Sequence, residues 1–242
     1  MNRFLTFLAL GLVLPTVAFA ELSVPQFFGD HMVLQRERRA SIWGKATPGA
    51  EVRAELGSQS ATTIADSEGK WRVGIETGEA NADGRTLKIT SGDETIKIND
   101  VLIGEVWFAS GQSNMAFTMK STGGYSDLIA ESNYPSLRMF NAPTVTASEP
   151  QDDIAGQWSV CVPETVPGYS AVAFFFARKL HQELGVPVGV IKSAWGGKPV
   201  ETFTSRNALR TLPGTNVLVD AVMAAEKSYD PAKAMVAHQA RL

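Results

Sequence analysis

The sequence predicts a protein of mixed class, in which an antiparallel β region is followed by an α/β region. Short strand-like segments punctuated by glycine occupy residues 22–99. A longer apolar segment over residues 100–109 then ends in a polar loop, and a helix followed by another apolar strand occupies residues 170–197. A run of strands followed by alternating strand and helix is typical of two regions with different sheet types.

The first region consists of short alternating segments with turn signals between them. Six segments have strand character: residues 41–44, 51–56, 61–65, 71–75, 86–90 and 95–98. Turn pairs such as Pro48-Gly49 and Asp83-Gly84 separate them. Strands this short at such regular spacing predict an antiparallel β-sandwich, as an accessory domain over residues 21–99.

The second region contains the clearest predicted helix, over residues 170–184, with Ser170 as its N-cap and Gly185 at its end. Large apolar side chains recur along it at helical spacing, and we expect them to face the core: Val172, Phe175, Phe176, Leu180 and Leu184. Strands are expected before it, at residues 136–140, and after it. Strand, helix and strand in succession predict a parallel sheet in a domain over residues 100–242.

Composition excludes some partners and predicts export. The 242 residues carry a formal charge of −3, with 44% hydrophobic and 19% charged residues and no strong basic patch, so nucleic acid is not an expected partner. Residues 1–20 combine Arg3, an apolar run and a small-x-small end, which is the pattern of a signal peptide with mature protein starting near Glu21. A membrane anchor is the alternative. The shortness of the apolar run favours cleavage and a periplasmic or extracellular protein, free of the membrane.

Ser113 is the candidate nucleophile. The strand before it breaks at Ser110-Gly111 and presents Gln112, Ser113 and Asn114. α/β enzymes expose a nucleophile on such a loop, although Met115 departs from the Gly-x-Ser-x-Gly pattern and an ordinary turn is the alternative.

A second loop is expected beside Ser113. Gly196 and Gly197 follow the later apolar strand. Since reactive loops gather at the carboxyl ends of parallel strands, we expect both loops to face one site.

The chemistry of an activated serine sets the remaining expectations. The backbone N–H groups of Ser113 and Gly197 are candidates to stabilise an oxyanion, while Gln112 and Asn114 either donate a side-chain hydrogen bond or cap the loop. The base is missing on sequence grounds, because none of the three histidines is well placed: His31 beside Asp30 in the β region, His181 on the packed helix, and His238 near the C-terminus. We expect no metal, no organic cofactor and, with Cys161 alone, no intramolecular disulfide.

Several motifs resemble the sialate O-acetylesterases, a branch of the SGNH hydrolases. Gly-Gln-Ser-Asn-Met at residues 111–115, preceded by Gly-Glu-Val-Trp at 104–107, resembles the nucleophile block of that family. The resemblance extends from residue 22 to residue 203 through these further segments: 32–35, 42–44, 48–49, 69–71, 170–176, 187–191 and 195–197. It implies a partial three-layer α/β sandwich of SGNH or flavodoxin-like type behind the β-sandwich.

The resemblance also implies a reaction. Ser113 would attack the acetyl group of an O-acetylated sugar, sialic acid or a related glycan, and form an acetyl-enzyme without a cofactor. The N–H groups of Ser113 and of Gly197 or Gly196 would form the oxyanion hole, and Gln112, Asn114 and Trp195 are the expected substrate contacts.

The sequence departs from the family in ways that matter for activity. The family's later Gln-Gly-Glu-Ser-Asn-like and Asp-x-x-His blocks, the second of which bears the base, do not occur here, and Lys198 replaces the usual threonine. We therefore expect a truncated or N-terminal part of an esterase with little turnover of its own. Two alternatives stay open: a non-catalytic glycan-binding or scaffold protein, and an esterase for acetylated polysaccharides such as xylan.

Overall fold

The computed structural model describes residues 21–147, 149–231, 233 and 235. The predicted signal peptide and His238 lie outside these residues. The strands are β1 Val33–Gln35, β2 Arg39–Lys45, β3 Glu51–Leu56, β4 Gln59–Ile64, β5 Lys70–Glu76, β6 Asn81–Ser91, β7 Glu94–Gly111, β8 Tyr134–Asn141, β9 Trp158–Cys161 and β10 Val188–Ala194. The helices are α1 Ser113–Ala116, α2 Ser126–Glu131, α3 Ala171–Leu184, α4 Arg206–Thr211 and α5 Asn216–Ser228.

One strand, β7, joins the antiparallel and parallel parts of a large mixed sheet. The eight strands of this sheet follow the order β4-β3-β6-β7-β10-β8-β9, with β1 paired to β7 as well. The first part of β7 pairs antiparallel with β6, and residues 105–111 pair parallel with β10. β10 in turn lies parallel to β8. The candidate nucleophile therefore follows the longest strand of the sheet.

The first core lies between β2 and β5, which form a separate antiparallel sheet, and the strands of the β region. Phe140 and Trp158 of the second region belong to the same core, and their rings lie 5.4 and 6.0 Å from that of Phe27. The indole N–H of Trp158 also donates to the Phe27 carbonyl at 3.0 Å. The two regions are thus joined by shared packing as well as by β7.

The second core lies between α3 and the parallel strands. Ser170 caps α3 as predicted, since its Oγ accepts the Ala173 N–H at 3.2 Å, and Gly185 ends the helix with φ +65°. The predicted apolar face is wrong in part, because Val172, Phe176 and Leu184 are exposed. The buried residues are smaller on average: Ala171, Ala173, Phe174 and Ala177. Alanines allow the helix to approach the sheet closely, whereas the prediction had followed the helical spacing of the larger apolar residues.

The strands and the helix predicted from the sequence occur in the structure. All six predicted strands of the first region are present, as are the helix at 170–184 and the parallel pairing of the strands on either side of it. The mixed class of the fold is confirmed. The strands β1 and β9, of three and four residues, were not among the predicted strands. The sandwich arrangement and the domain boundary after residue 99 stay predictions.

One edge of β7 is open near its carboxyl end. β1 pairs with this edge up to Gly104, and the Gln35 side chain then accepts the Val106 N–H at 2.8 Å. Beyond that point no strand of the described residues pairs with β7 on this side. Phe108 is 66% exposed here, although it lies in the middle of an apolar strand.

Candidate active site

Ser113 lies on a sharp turn between β7 and α1. Gly111 has φ +145°, a conformation that favours glycine and lets the strand end abruptly. The chain then turns at once, because the Ala116 and Phe117 N–H groups donate to the carbonyls of Gln112 and Ser113, each at 2.9 Å. The side chains of residues 112–114 are exposed. The N–H of Ser113 stands in the first turn of α1, where the helix itself offers no acceptor.

The turn is held against the start of α3. The buried Ser170 Oγ lies 3.4 Å from the Met115 sulfur, and the Ala171 N–H donates to the Phe117 carbonyl at 2.8 Å. A further backbone bond of 2.9 Å runs from the Met119 N–H to the Tyr169 carbonyl. Sequence reasoning assigned Ser170 only to the cap of α3. Its second role, in positioning the Ser113 turn, depends on a contact 55 residues away along the chain.

The second predicted loop lies beside Ser113. β7 and β10 run parallel with Gly111 opposite Ala194, so the two strands end at the same level. The Trp195 N–H then donates to the Gly111 carbonyl at 3.0 Å and continues the ladder by one bond. This register brings the loops of residues 112–114 and 195–197 to one edge of the sheet.

Gly196 and Gly197 form the exposed wall opposite the serine. A Cβ added at Gly196 would lie 3.7 Å from the Ser113 Cα and 3.8 Å from its Cβ. Gly197 has φ +75°, which disfavours any residue with a side chain, although the space around it is open. A small ester group could therefore reach Ser113 between two backbone segments with no side chain in the way.

Trp195 and Lys198 border this opening. Trp195 is half-buried, and the Lys198 ammonium lies 4.8 Å from the centroid of its ring. A cation at this distance is attracted to the indole face. Lys198, which stands where the resembled family usually has threonine, thus covers part of Trp195, the residue that was expected to contact substrate.

The two described histidines have partners remote from Ser113. His31 Nδ1 lies 2.7 Å from the Asp100 carboxylate, at the start of the parallel part of β7. Asp100 and Gly111 are eleven residues apart on one strand, roughly 35 Å at the usual rise per residue. His181, which was expected to be solvated, is half-buried, and its Nδ1 is 2.7 Å from the Val186 carbonyl just after α3. The described residues therefore supply no histidine base to Ser113.

Asp100 is the centre of a polar cluster. It bonds both His31 and the buried Arg138, whose Nη1 lies 2.6 Å from the carboxylate. Burial acts to raise the pKa of the Asp100 carboxyl, but the hydrogen bonds from Arg138 and His31 outweigh it and lower the pKa below its ordinary value. Both His31 and Asp100 have positive φ, at 70° and 54°. The sequence had suggested only a turn role for His31.

Other reactive groups offer no competing centre. Burial raises the pKa of the Cys161 thiol to about 11, so this cysteine is not a thiolate at neutral pH. Burial also lowers the pKa of Lys192, which lies two residues before the end of β10 and pairs with Ala109 of β7 and Asn141 of β8. Within the described ranges, no group of three or more acidic, cysteine or histidine residues is arranged to hold a metal ion.

Several known proteins are similar in sequence to this chain. The chain is 31% identical over 228 residues to the sialate O-acetylesterase of Homo sapiens, and 31% identical over 222 residues to that of Rattus norvegicus. These alignments cover 84% and 83% of the chain. The chain is a relative of the sialate O-acetylesterases.

The solved structures agree with this relationship. A carbohydrate acetylesterase from Xanthomonas citri superposes with a TM-score of 0.74 at 30% identity, over 80% of this chain and 44% of that one. No family model matches the chain. The chain spans less than half the length of the relatives, since the alignments cover 44% of the human protein and 40% of the rat protein.

Proposed function

We propose that this chain is part of an exported carbohydrate O-acetylesterase that uses Ser113 as its nucleophile. The observation that carries the proposal is the register of β7 and β10, which places the exposed Ser113 beside Gly196 at the carboxyl edge of the parallel strands. The relatives named sialate O-acetylesterase and carbohydrate acetylesterase support an acetylated sugar as the substrate.

The proposed mechanism is acyl transfer through an acetyl-enzyme. The Ser113 Oγ attacks the acetyl carbonyl carbon while a base takes its proton, and the N–H groups of Ser113 and Gly197, or Gly196, bind the resulting oxyanion. Collapse of the tetrahedral intermediate breaks the bond to the sugar oxygen, which leaves as a hydroxyl after receiving the proton. Water then hydrolyses the acetyl-enzyme and releases acetate. Gln112, Asn114 and Trp195 are the proposed contacts to the sugar.

The proposal assigns the base to a segment outside these 242 residues. Neither described histidine reaches Ser113, and the match accounts for only 44% of the human relative. We propose that the chain holds a β-sandwich accessory domain over residues 21–99 and that residues 100–242 belong to the first part of an SGNH-type α/β domain. Without its base, a serine enzyme loses most of its rate acceleration.

The test compares this chain with a version extended by the sequence that follows Leu242 in its gene. The extended protein should hydrolyse p-nitrophenyl acetate and O-acetylated sugars, and Ser113→Ala should lower kcat/KM by about a thousandfold or more. Ser193→Ala, on the neighbouring strand β10, is the matched control and should stay within about twofold of the parent. Retention of full activity by Ser113→Ala would refute the role of the serine.

A non-catalytic glycan-binding protein is the competing proposal, and the remote position of both described histidines favours it. The same experiment decides between the two. If the extended protein lacks activity on every acetyl ester offered but still binds glycans, the binding role stands. Rates on O-acetylated sialic acid and on acetylated xylan from one active preparation would choose between the two substrate classes.

Export is proposed from the pattern of residues 1–20. Within the described part of the chain, no helix is both long and apolar enough to cross a membrane. Expression of the full sequence in a bacterial host, followed by fractionation and N-terminal sequencing, should give a product that begins near Glu21. Recovery of intact Met1 in the membrane fraction would favour an anchor instead.

A further inference from the structure

A cavity lies on the β region, beside the two-stranded sheet and apart from Ser113. Its volume is about 560 Å³, within the range typical of small-molecule sites. β2 and β5 form its floor, and Asp152 and Asp153, from the loop between β8 and β9, close one side. None of the residues proposed for the ester site belongs to its lining.

Trp43 gives the cavity a fixed aromatic wall. Its indole N–H donates to the Asp152 carbonyl at 3.3 Å, and its ring meets that of Phe28 edge-on at 4.6 Å. The guanidinium of Arg72 lies 5.0 Å from the centroid of the same ring. An aromatic side chain held by three contacts loses little freedom when a ligand packs against it, which favours binding.

The charges around the cavity are balanced. The lining contains three acidic and three basic residues: Asp66, Asp152, Asp153, Lys45, Lys70 and Arg72. A ligand with a strong charge of either sign would meet as many repulsive groups as attractive ones. A neutral ligand rich in hydroxyl groups avoids this cost, because each hydroxyl can donate to a carboxylate and accept from a cation.

Several of these charged groups are already engaged by the protein. Lys70 pairs with Glu68 at 2.9 Å, and Arg72 donates to the Ser41 hydroxyl at 3.0 Å. The Asp153 carboxylate accepts backbone N–H groups at 2.7 Å. These contacts hold the three groups in place, while Lys70 and Arg72 keep further N–H donors and Asp153 keeps its second carboxylate oxygen.

Two charged groups of the lining are free of hydrogen bonds to the described residues. The Lys45 ammonium and the Asp152 carboxylate make no hydrogen bond or ion pair with another described residue. The indole N–H of Trp71 also has no acceptor among the described residues, but it is buried in a residue that is only 3% exposed, so it is not counted as a contact to a ligand. A donor and an acceptor therefore flank the aromatic wall without a hydrogen bond to a described residue, although the Asp152 charge also acts on Lys70.

We propose that this cavity is a second saccharide-binding site, which takes a neutral sugar unit of a glycan chain. The apolar face of the sugar packs on the part of the half-buried Trp43 ring that Arg72 leaves uncovered, and its hydroxyls bond Lys45 and Asp152. The inference rests on the proposed function, since it takes the substrate to be a glycan, and it adds that the chain is held at a point remote from the ester. It also predicts a preference for neutral over sialylated glycans at this cavity.

The test is isothermal titration calorimetry of the 242-residue chain with xylohexaose, cellohexaose and 3′-sialyllactose. These ligands carry no O-acetyl group, so ester hydrolysis does not affect the measurement. At least one neutral hexaose should bind more tightly than 3′-sialyllactose. Lys45→Met and Asp152→Asn should each weaken binding about fivefold, the effect of one lost hydrogen bond. The matched controls, Lys97→Met and Asp93→Asn on exposed positions of the β region, should change it by less than about twofold.

Three results would overturn the inference. The first is that neither neutral hexaose binds, and the second is that 3′-sialyllactose binds more tightly than both. The third is that Trp195→Ala abolishes binding while Lys45→Met and Asp152→Asn leave it unchanged, which would place the glycan at the Ser113 loop. Failure of the esterase assay would leave all of these binding results as they are, so the two proposals fail separately.

Discussion

At the scale of single residues, the proposed active site depends on three glycines, whose lack of a side chain permits its geometry. Gly111 permits the sharp turn into Ser113, and Gly196 leaves space beside the serine. Gly197 needs its freedom for a different reason, which is its positive φ in open space. The two adjacent glycines should therefore respond differently to the same substitution.

Gly197→Ala should destabilise the protein, whereas Gly196→Ala should alter its chemistry. The alanine at position 197 is strained at φ +75° and should cost about 1–2 kcal/mol in the free energy of unfolding. At position 196 the new methyl group makes ordinary contacts with Ser113, so stability should change by less than about 0.5 kcal/mol. Urea unfolding measures both. In the extended protein, Gly196→Ala should lower kcat/KM for acetyl esters, and unchanged kinetics would show that this space is not used.

Asp100 should contribute to stability in a pH-dependent way. Asp100→Asn keeps the shape and tolerates φ 54°, but it removes the charge that faces the buried Arg138. Because 36% of the Asp100 side chain is exposed, solvent screening limits the expected loss to about 1–2 kcal/mol at pH 7.

The sign of the pH dependence follows from the lowered pKa of Asp100. The stabilisation is fully present above the unfolded-state pKa of about 3.9 and is lost as the pH falls through the lower folded-state pKa. Urea unfolding of wild type and Asp100→Asn should therefore converge below about pH 4. Asp93→Asn, in an exposed turn, serves as the control. A difference that stays constant down to pH 2 would contradict the assignment of the charge.

At the scale of elements, β7 has two unlike edges. One edge is paired along its length, first with β6 and then with β10, while the other is open beyond Val106. An open edge with an exposed aromatic residue is a template for association with another strand. In the proposed whole enzyme, this edge would be covered by a further strand of the α/β domain.

Phe108→Lys should reduce self-association of the isolated chain. A lysine on the open edge repels a second copy and removes the apolar side chain, which is 66% exposed. Sedimentation velocity over a range of concentrations should show a larger monomer fraction for the variant. Val172→Lys, which removes an apolar residue 48% exposed on helix α3, is the control. Equal effects of the two substitutions would mean that general hydrophobicity, and not the strand edge, drives association.

At the scale of the whole molecule, the two regions are less separable than their sequence patterns suggest. The sequence predicts that residues 22–99 are the part that folds on its own. In the structure, β7 continues past that point, and the buried Val101, Leu102 and Ile103 pack with the β region and with β1. A fragment ending at residue 99 cuts through this strand.

A fragment of residues 21–105 should be more stable than one of residues 21–99. The three additional apolar residues are each at most 1% exposed in the full structure, and burial of such side chains contributes about 1.5–3 kcal/mol each. Both fragments lack Phe140 and Trp158, which pack in the first core of the full chain, so both should be less stable than the whole protein. We nevertheless expect the longer fragment to unfold at a higher urea concentration than the shorter one. Equal midpoints would show that β7 adds nothing to the β region beyond residue 99.

The sequence by itself determined the local structure and singled out the candidate site residues. Alternation and turn residues predicted the strands, Ser170 and Gly185 bounded the helix, and the strand-to-loop transition singled out Ser113, because these signals act between neighbours along the chain. The short strands β1 and β9 were not among the predicted strands.

Only the tertiary structure decided which distant residues meet. It placed Gly196 against Ser113, linked His31 to Asp100 and Arg138, and used the small face of α3 for packing. It also closed the cavity beside Trp43 with a loop more than a hundred residues away. Strand register, the face of a helix that packs on the sheet and the position of a loop all depend on contacts between residues far apart in the sequence. A local sequence pattern does not contain the energies of those contacts.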